Sequence, residues 1–165
     1  MPIPYLITTL LYVLVALLAA ADAALVSLGL ASPFAALRWV RVHFITLGVI
    51  SQLVFGLLPG LMASLANKPR PVMRWDIWLL LNAGLVALVA GFAGVNQLMI
   101  LTGGTLIFTA ATLLLIQLWQ VRGGDAPQSL KFYITGLFYL LVGIIIGTGL
   151  WLNWSAALYI QVPLE

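Results

Sequence analysis

The sequence predicts an all-α protein, a polytopic membrane bundle of five transmembrane helices. Of its 165 residues, 64% are hydrophobic and only 7% are charged, whereas soluble domains carry about 25% charged residues. The apolar residues fall into five stretches of about 20 residues or more, each long enough to cross a hydrocarbon core of ~30 Å as a helix. These observations indicate one integral membrane domain over residues 1–165, with no linker and no soluble catalytic domain.

The first two spans are separated by a helix-start signal. The segment before the first span, Met1 to Pro4, lacks the charged region and cleavage site of a secretory signal, so we expect this span to be a mature helix. Ser32 and Pro33 are typical of an N-cap and a first helical residue. Pro59 and the glycine after it predict a kink in the second span.

Polar connections separate the remaining spans. Residues 67–74, Asn-Lys-Pro-Arg-Pro-Val-Met-Arg, form the most polar stretch and predict a loop. A short turn around Asn96 joins spans three and four, and a loop over 122–129 precedes span five. The five spans are expected at about 5–31, 34–66, 75–94, 98–121 and 130–154.

The loop charges predict the orientation. The side that holds the N-terminus carries Lys68, Arg70, Arg74, Arg122 and Lys131. The other side carries Arg38 and Arg41. The positive-inside rule therefore predicts a cytoplasmic N-terminus and an external C-terminus in the cytoplasmic (inner) membrane. The net charge of +3 is then explained by topology and by lipid head groups, and we expect no nucleic-acid partner.

Small and hydroxyl residues predict how the helices pack, because helices in lipid associate through close backbone approach and hydrogen bonds. The small residues with four-residue spacing are Ala16/Ala20/Ala24, Ala83/Ala87/Gly91 and the GxxxG pair Gly143/Gly147, with Gly136 on the same span as that pair. The GxxxG face suits either internal packing or self-association. The hydroxyl stripe consists of Thr102, Thr105, Thr109 and Thr112, which suits a packing seam with hydroxyls bonded to their own helix, or else a polar pathway lining.

Asp22 and His43 are the candidate functional residues, because ionisable groups inside a bilayer are costly and usually functional. At 1.5 Å per residue, both lie roughly 14 Å from the turn between spans one and two. If they face each other, the carboxylate holds one imidazole nitrogen and leaves the other for a metal. The alternatives are a structural helix-locking pair and a proton relay. We interpret Gln52 primarily as a helix-packing residue, and a role as a co-ligand is the weaker alternative. We interpret Arg38 and Arg41 primarily as anchors at the membrane interface, and pairing with haem propionates is their second interpretation.

The residue types and motifs that the sequence lacks exclude several kinds of active site. The sequence has no Cys and a single His, which excludes thiol catalysis, thiolate metal sites and bis-His ligation within one chain. No phosphate-binding glycine loop, Ser–His–Asp set or His₃ cluster is visible. We therefore do not expect this chain to catalyse a reaction on its own.

The segment from Arg38 to Gly56, Arg-Trp-Val-Arg-Val-His-Phe-Ile-Thr-Leu-Gly-Val-Ile-Ser-Gln-Leu-Val-Phe-Gly, resembles the second span of the haem–copper oxidase catalytic subunit and its NnrS-like relatives. In the oxidases the histidine at this place is an axial ligand of the low-spin haem, and a glycine follows it. The resemblance covers about 20 residues, and the later helices with the second haem ligand and the copper ligands are absent. It implies a shortened oxidase-like unit, either haem-binding or accessory, and does not imply oxygen reduction.

Four functions follow as hypotheses. The first is an integral subunit of a larger redox complex that binds haem b through His43, with other membrane subunits as partners. The second is a structural or assembly subunit without a cofactor. The third is a pigment-binding subunit, since chlorophylls need only one axial ligand. The fourth is a small transporter, which the absence of an evident inverted repeat disfavours.

Overall fold

A computed structural model describes residues 1–30, 32, 42–121 and 128–151. In these ranges helices are the only regular secondary structure, and five of the helical segments are long and apolar enough to cross a membrane. The helices are α1 (Ile3–Ser27), α2 (Ser51–Leu65), α3 (Trp75–Ala93), α4 (Gln97–Val121) and α5 (Leu130–Trp151). The prediction of a five-helix all-α protein is confirmed, while the N-in/C-out orientation stays a prediction.

The second span combines two kinds of helix. A π-helical segment, Phe44–Ile50, continues into α2 without a break, because Ile50 and Ser51 both have helical backbone angles. Together they form the continuous span Phe44–Leu65. The predicted beginning of this span near residue 34 lies outside the described residues, as do the predicted end of span five near residue 154, Arg38 and Arg41.

The end of α1 shows how local chemistry sets a boundary. The helix ends at Ser27, short of the predicted boundary near residue 31. Gly29 adopts a left-handed φ of 73°, which its lack of a side chain permits. This turn lets the Gly29 N–H donate to the Val26 carbonyl at 3.0 Å and the Leu30 N–H donate to the Leu25 carbonyl at 2.9 Å. These bonds satisfy the last carbonyls of the helix and stop it.

The hairpin of α3 and α4 is the most closely packed part of the bundle. A Cβ built on Gly103 would lie 2.7 Å from the carbonyl oxygen of Gly84 and 2.8 Å from the backbone nitrogen of Leu88. A Cβ on Gly91 would lie 2.8 Å from the backbone nitrogen of Ile100. The two backbones therefore touch where these glycines lie, as expected for helices that associate through small residues.

The buried face of α3 differs from the predicted one. Gly91 belongs to it, but Ala83 is exposed, and the buried residues are instead Ile77, Leu81, Gly84, Leu85, Leu88 and Gly91. In α1, Ala16 is buried as predicted, while Ala20 and Ala24 are exposed. Residue spacing identified small residues that repeat along a helix, but the rotation of each helix about its axis depends on its neighbours.

The α5 helix is attached along one side only. Among the described residues, its substantial packing is against α4. Gly136, Gly143 and Gly147 each have no heavy atom within 4 Å of a built Cβ. The GxxxG pair therefore packs against no helix in the part of this chain that the structure describes. Self-association through this face stays a prediction.

Gly103→Ala should destabilise the bundle, because its methyl group would collide with backbone atoms of α3 that cannot rotate away. We expect a loss of about 1–3 kcal/mol in the free energy of unfolding, measured by reversible unfolding in detergent micelles. Gly136→Ala is the matched control, since its methyl group would enter open space. Equal stability of the two variants would contradict the close approach of α3 and α4.

Candidate functional site

His43 lies directly before the π-helical segment, at the beginning of the second span. Its side chain is half-buried. The imidazole stacks on the ring of Phe92 in α3, with centroids 6.3 Å apart and planes inclined by 29°. This aromatic contact restrains the imidazole against the end of α3.

The imidazole opens onto a large cleft, which we call the His43 cleft. Its volume is about 1040 Å³, just above the ~300–1,000 Å³ typical of small-molecule pockets. The walls come from the beginning of the second span, the end of α3, the beginning of α4 and the end of α5. The lining residues are His43, Thr46, Leu47, Leu88, Phe92, Val95, Gln97, Ile100, Gly104, Ile107, Tyr139, Leu140, Gly143, Ile144, Gly147, Thr148 and Leu150.

The α5 wall of the His43 cleft is formed in part by glycine. Gly143 and Gly147 both line it, and the space that a side chain would take at either position is open. Gly104 of α4 has a different role, since a Cβ there would lie 2.6 Å from the Thr148 hydroxyl oxygen. Gly104 lets α5 approach α4, while the GxxxG pair leaves the cleft wide.

The π-helical segment connects the cleft to the rest of the bundle. A Cβ built on Gly48 would lie 3.1 Å from the ring of Tyr12 in α1, and the Phe44 ring meets the Tyr12 ring edge-on at 5.3 Å. The segment is thus held against α1 on one side while His43 stacks on α3. π-Helical turns next to α-helices occur frequently at functional sites.

Asp22 is not joined to His43. The carboxylate is half-buried on α1, and no hydrogen bond or ion pair links it to the imidazole within the described ranges. It is also not among the residues that line the His43 cleft. The two residues were predicted to lie at similar depth, and that depth alone does not bring them into contact. The carboxylate–imidazole pairing therefore has no support in the geometry.

A buried polar cluster lies deeper in the bundle, and only one of its members, Gln52, is a candidate residue of the sequence. Gln52 is completely buried, and its Nε2 donates to Asn82 Oδ1 at 2.9 Å. The Tyr12 hydroxyl donates to the same oxygen, and the Thr8 hydroxyl lies 3.1 Å from Gln52 Oε1. The Trp78 indole N–H donates to the Thr8 hydroxyl at 3.4 Å. This polar cluster joins α1, α2 and α3, which agrees with the interpretation of Gln52 as a helix-packing residue.

A signal for the polar cluster was present in the spacing. Thr8 and Tyr12 are four residues apart in one span, and Trp78 and Asn82 are four apart in another. Polar groups at i and i+4 share a helix face, and in lipid they need partners. Two such faces in the first and third spans, together with a polar residue such as Gln52 in the second, are typical of a hydrogen-bond network between helices.

The threonine stripe bonds to its own helix. Three of its hydroxyl groups donate to carbonyls four residues earlier at 2.8–2.9 Å: Thr105 to Leu101, Thr109 to Thr105 and Thr112 to Phe108. The packing-seam interpretation of the stripe predicted hydrogen bonds of this kind. Thr105 and Thr109 are exposed, so the stripe is not a seam between described helices. None of its members lines the His43 cleft, which leaves the pathway interpretation without support.

Comparison of the chain with protein-family models, with curated proteins and with solved structures gave no match.

Asn82→Leu should destabilise the protein by about 1–2 kcal/mol, because it removes the oxygen that both Gln52 and Tyr12 bond in an apolar interior. The measurement is reversible unfolding in micelles. Thr105→Val is the matched control, since that hydroxyl is exposed and bonds only its own helix. The double variant Gln52→Leu/Asn82→Leu should recover part of the loss, because it leaves no amide of this pair unsatisfied. A double variant no more stable than Asn82→Leu alone would contradict this account of the cluster.

Proposed function

We propose that this chain is an integral membrane subunit of a larger redox assembly, and that it binds haem b in the His43 cleft with His43 as the axial ligand. The observation that carries the proposal is the position of the single histidine of the chain on the wall of a large, mostly apolar cleft. The shape of the cleft, the donor it offers and the surface around it each support the proposal.

The shape of the cleft suits a flat ring. Gly143 and Gly147 leave open space on one wall, while Leu88, Phe92 and Ile107 provide apolar surface on another. A planar macrocycle buries a large apolar area between two such walls, at about 25 cal/mol per Å². A purely structural histidine would need no cleft of this size beside it.

The donor chemistry of His43 suits axial ligation. A neutral imidazole binds a metal through one ring nitrogen while the other is held by a neighbouring group. The chain has one histidine and no cysteine, so a second histidine ligand or a thiolate ligand would have to come from a partner subunit. When bound, haem supplies one-electron transfer tuned by its ligands and by the polarity of its pocket.

The residues of the chain would orient the group and exclude water. The stack on Phe92 restrains the imidazole, and the apolar walls lower the local dielectric around the ring. Arg38 and Arg41, just before His43 in sequence, remain candidates for the propionates and lie outside the described residues. Asp22 has no contact that would place it at the ring.

Work inside a larger assembly is supported by the surface. Large apolar side chains are exposed on every described helix, among them Leu17, Leu57, Val86, Ile116 and Phe138, and these face lipid or other membrane subunits. The cleft itself is walled by this chain on the α3, α4 and α5 sides. A structural subunit without a cofactor would have the same kind of apolar surface. The surface therefore does not separate the two functions, and the His43 cleft is the feature that favours the haem-binding subunit.

His43→Ala should abolish the Soret absorption of the protein purified in mild detergent from its own membrane with its partners. Absorption spectra and extracted haem per protein are measured for both forms. A chlorophyll-type spectrum that the substitution bleaches would assign a pigment-binding subunit instead. A protein purified without any chromophore, or unchanged haem in the variant, would overturn the proposal, and uptake of a solute by the isolated protein in liposomes would favour a transporter.

Gly143→Leu should also reduce bound haem, because its side chain would fill the His43 cleft without touching His43. Gly136→Leu is the matched control: it lies on the same helix and has the same open space around its Cβ, but it does not line the cleft. Haem content is measured as above, and unfolding in micelles checks that both variants fold. Equal haem in the two variants would show that the cleft does not hold the ring.

A further inference from the structure

A second cavity lies at the opposite end of the bundle, and we call it the Arg70 pocket. It has a volume of about 620 Å³ and is formed by the beginnings of α1 and α3, the ends of α2 and α4, and the loop before α3. The proposed function does not use it. Its lining combines two arginines, Arg70 and Arg74, with a wall of apolar and aromatic side chains.

The two arginines of the Arg70 pocket have different electrostatic states. Arg74 is bound to Asp76, with its Nε donating to Oδ1 at 3.1 Å and its terminal nitrogen donating to Oδ2. These hydrogen bonds raise the pKa of the Arg74 guanidinium above its ordinary value and neutralise its charge locally. Arg70 has neither a hydrogen bond nor an ion pair to any residue that the structure describes. Arg70 therefore presents an uncompensated positive charge to the pocket.

The wall below this charge is a groove along α2. Leu57, Pro59, Gly60 and Leu61 line it, and Tyr5 closes it from α1. A Cβ built on Gly60 would meet no heavy atom within 4 Å, so the groove is open at that glycine. Leu57 and Leu61 are exposed, which continues the groove onto the apolar outer surface of the bundle.

We propose that the Arg70 pocket binds an anionic phospholipid, with the phosphate at Arg70 and an acyl chain in the groove beside Gly60. Arginine offers several donors in a fork that matches phosphate oxygens, and basic pockets between transmembrane helices bind acidic head groups. The apolar groove beneath the charge favours a lipid over free inorganic phosphate, which would gain nothing from it. This assignment goes beyond the proposed function and does not depend on His43.

Native mass spectrometry of the protein in micelles tests the site. Phosphatidylglycerol and phosphatidylcholine with identical acyl chains are titrated separately, and the first should bind in preference to the second. Arg70→Gln should lower phosphatidylglycerol affinity about five-fold, the effect of one basic residue, and Arg70→Lys should restore most of it. Gly60→Leu should weaken binding of both lipids, since its side chain would fill the groove.

The matched control is Lys68→Gln, which removes a charge two positions away that does not line the Arg70 pocket. Equal losses in Lys68→Gln and Arg70→Gln would reduce the effect to surface charge and overturn the proposal. Displacement of the phospholipid by millimolar inorganic phosphate would assign a free-anion site and overturn it as well. His43→Ala should leave the lipid preference unchanged, so failure of the haem proposal and failure of this one are distinguishable.

Discussion

The need to satisfy polar groups in an apolar interior governs this structure. Gln52 is fully buried, and an unpaired amide there would cost several kcal/mol in lipid. Asn82 and Thr8 supply its partners, which ties α1, α2 and α3 together at one place. The remaining helices pack where glycines permit close approach: α4 packs on α3 through the backbones at Gly84 and Gly103, and α5 packs on α4 at Gly104. The polar cluster therefore sets the rotation of the helix that presents His43.

Tyr12 links the polar cluster to the helix segment beside the His43 cleft. Tyr12 belongs to the polar cluster through Asn82, and its ring also lies against Gly48 of the π-helical segment. His43 directly precedes this segment, so the Tyr12 side chain contacts both the polar cluster and the segment next to the candidate ligand. Tight packing on the α1 side and an open cleft on the α5 side thus come from the same span.

The helices were predictable because the length of an apolar run directly determines whether it can span a bilayer, and the observed α3 and α4 begin and end within a residue or two of the expected positions. The rotation of each helix about its axis was not predictable from the sequence. For this reason Ala83 is exposed rather than buried, and the predicted similarity in depth of Asp22 and His43 does not bring the two side chains into contact. His43 was identifiable from chemistry alone, as an ionisable group in an apolar span. The cleft beside it was not identifiable, because it exists only where α5 stands away from α2.

The two cavities lie at opposite ends of one span. The His43 cleft is lined by Leu47 and the Arg70 pocket by Phe55 of the same span, eight residues apart, or about 12 Å at the rise of an α-helix. Each cavity therefore takes its wall from a different section of the same helix, so occupancy of one does not require the other to be filled.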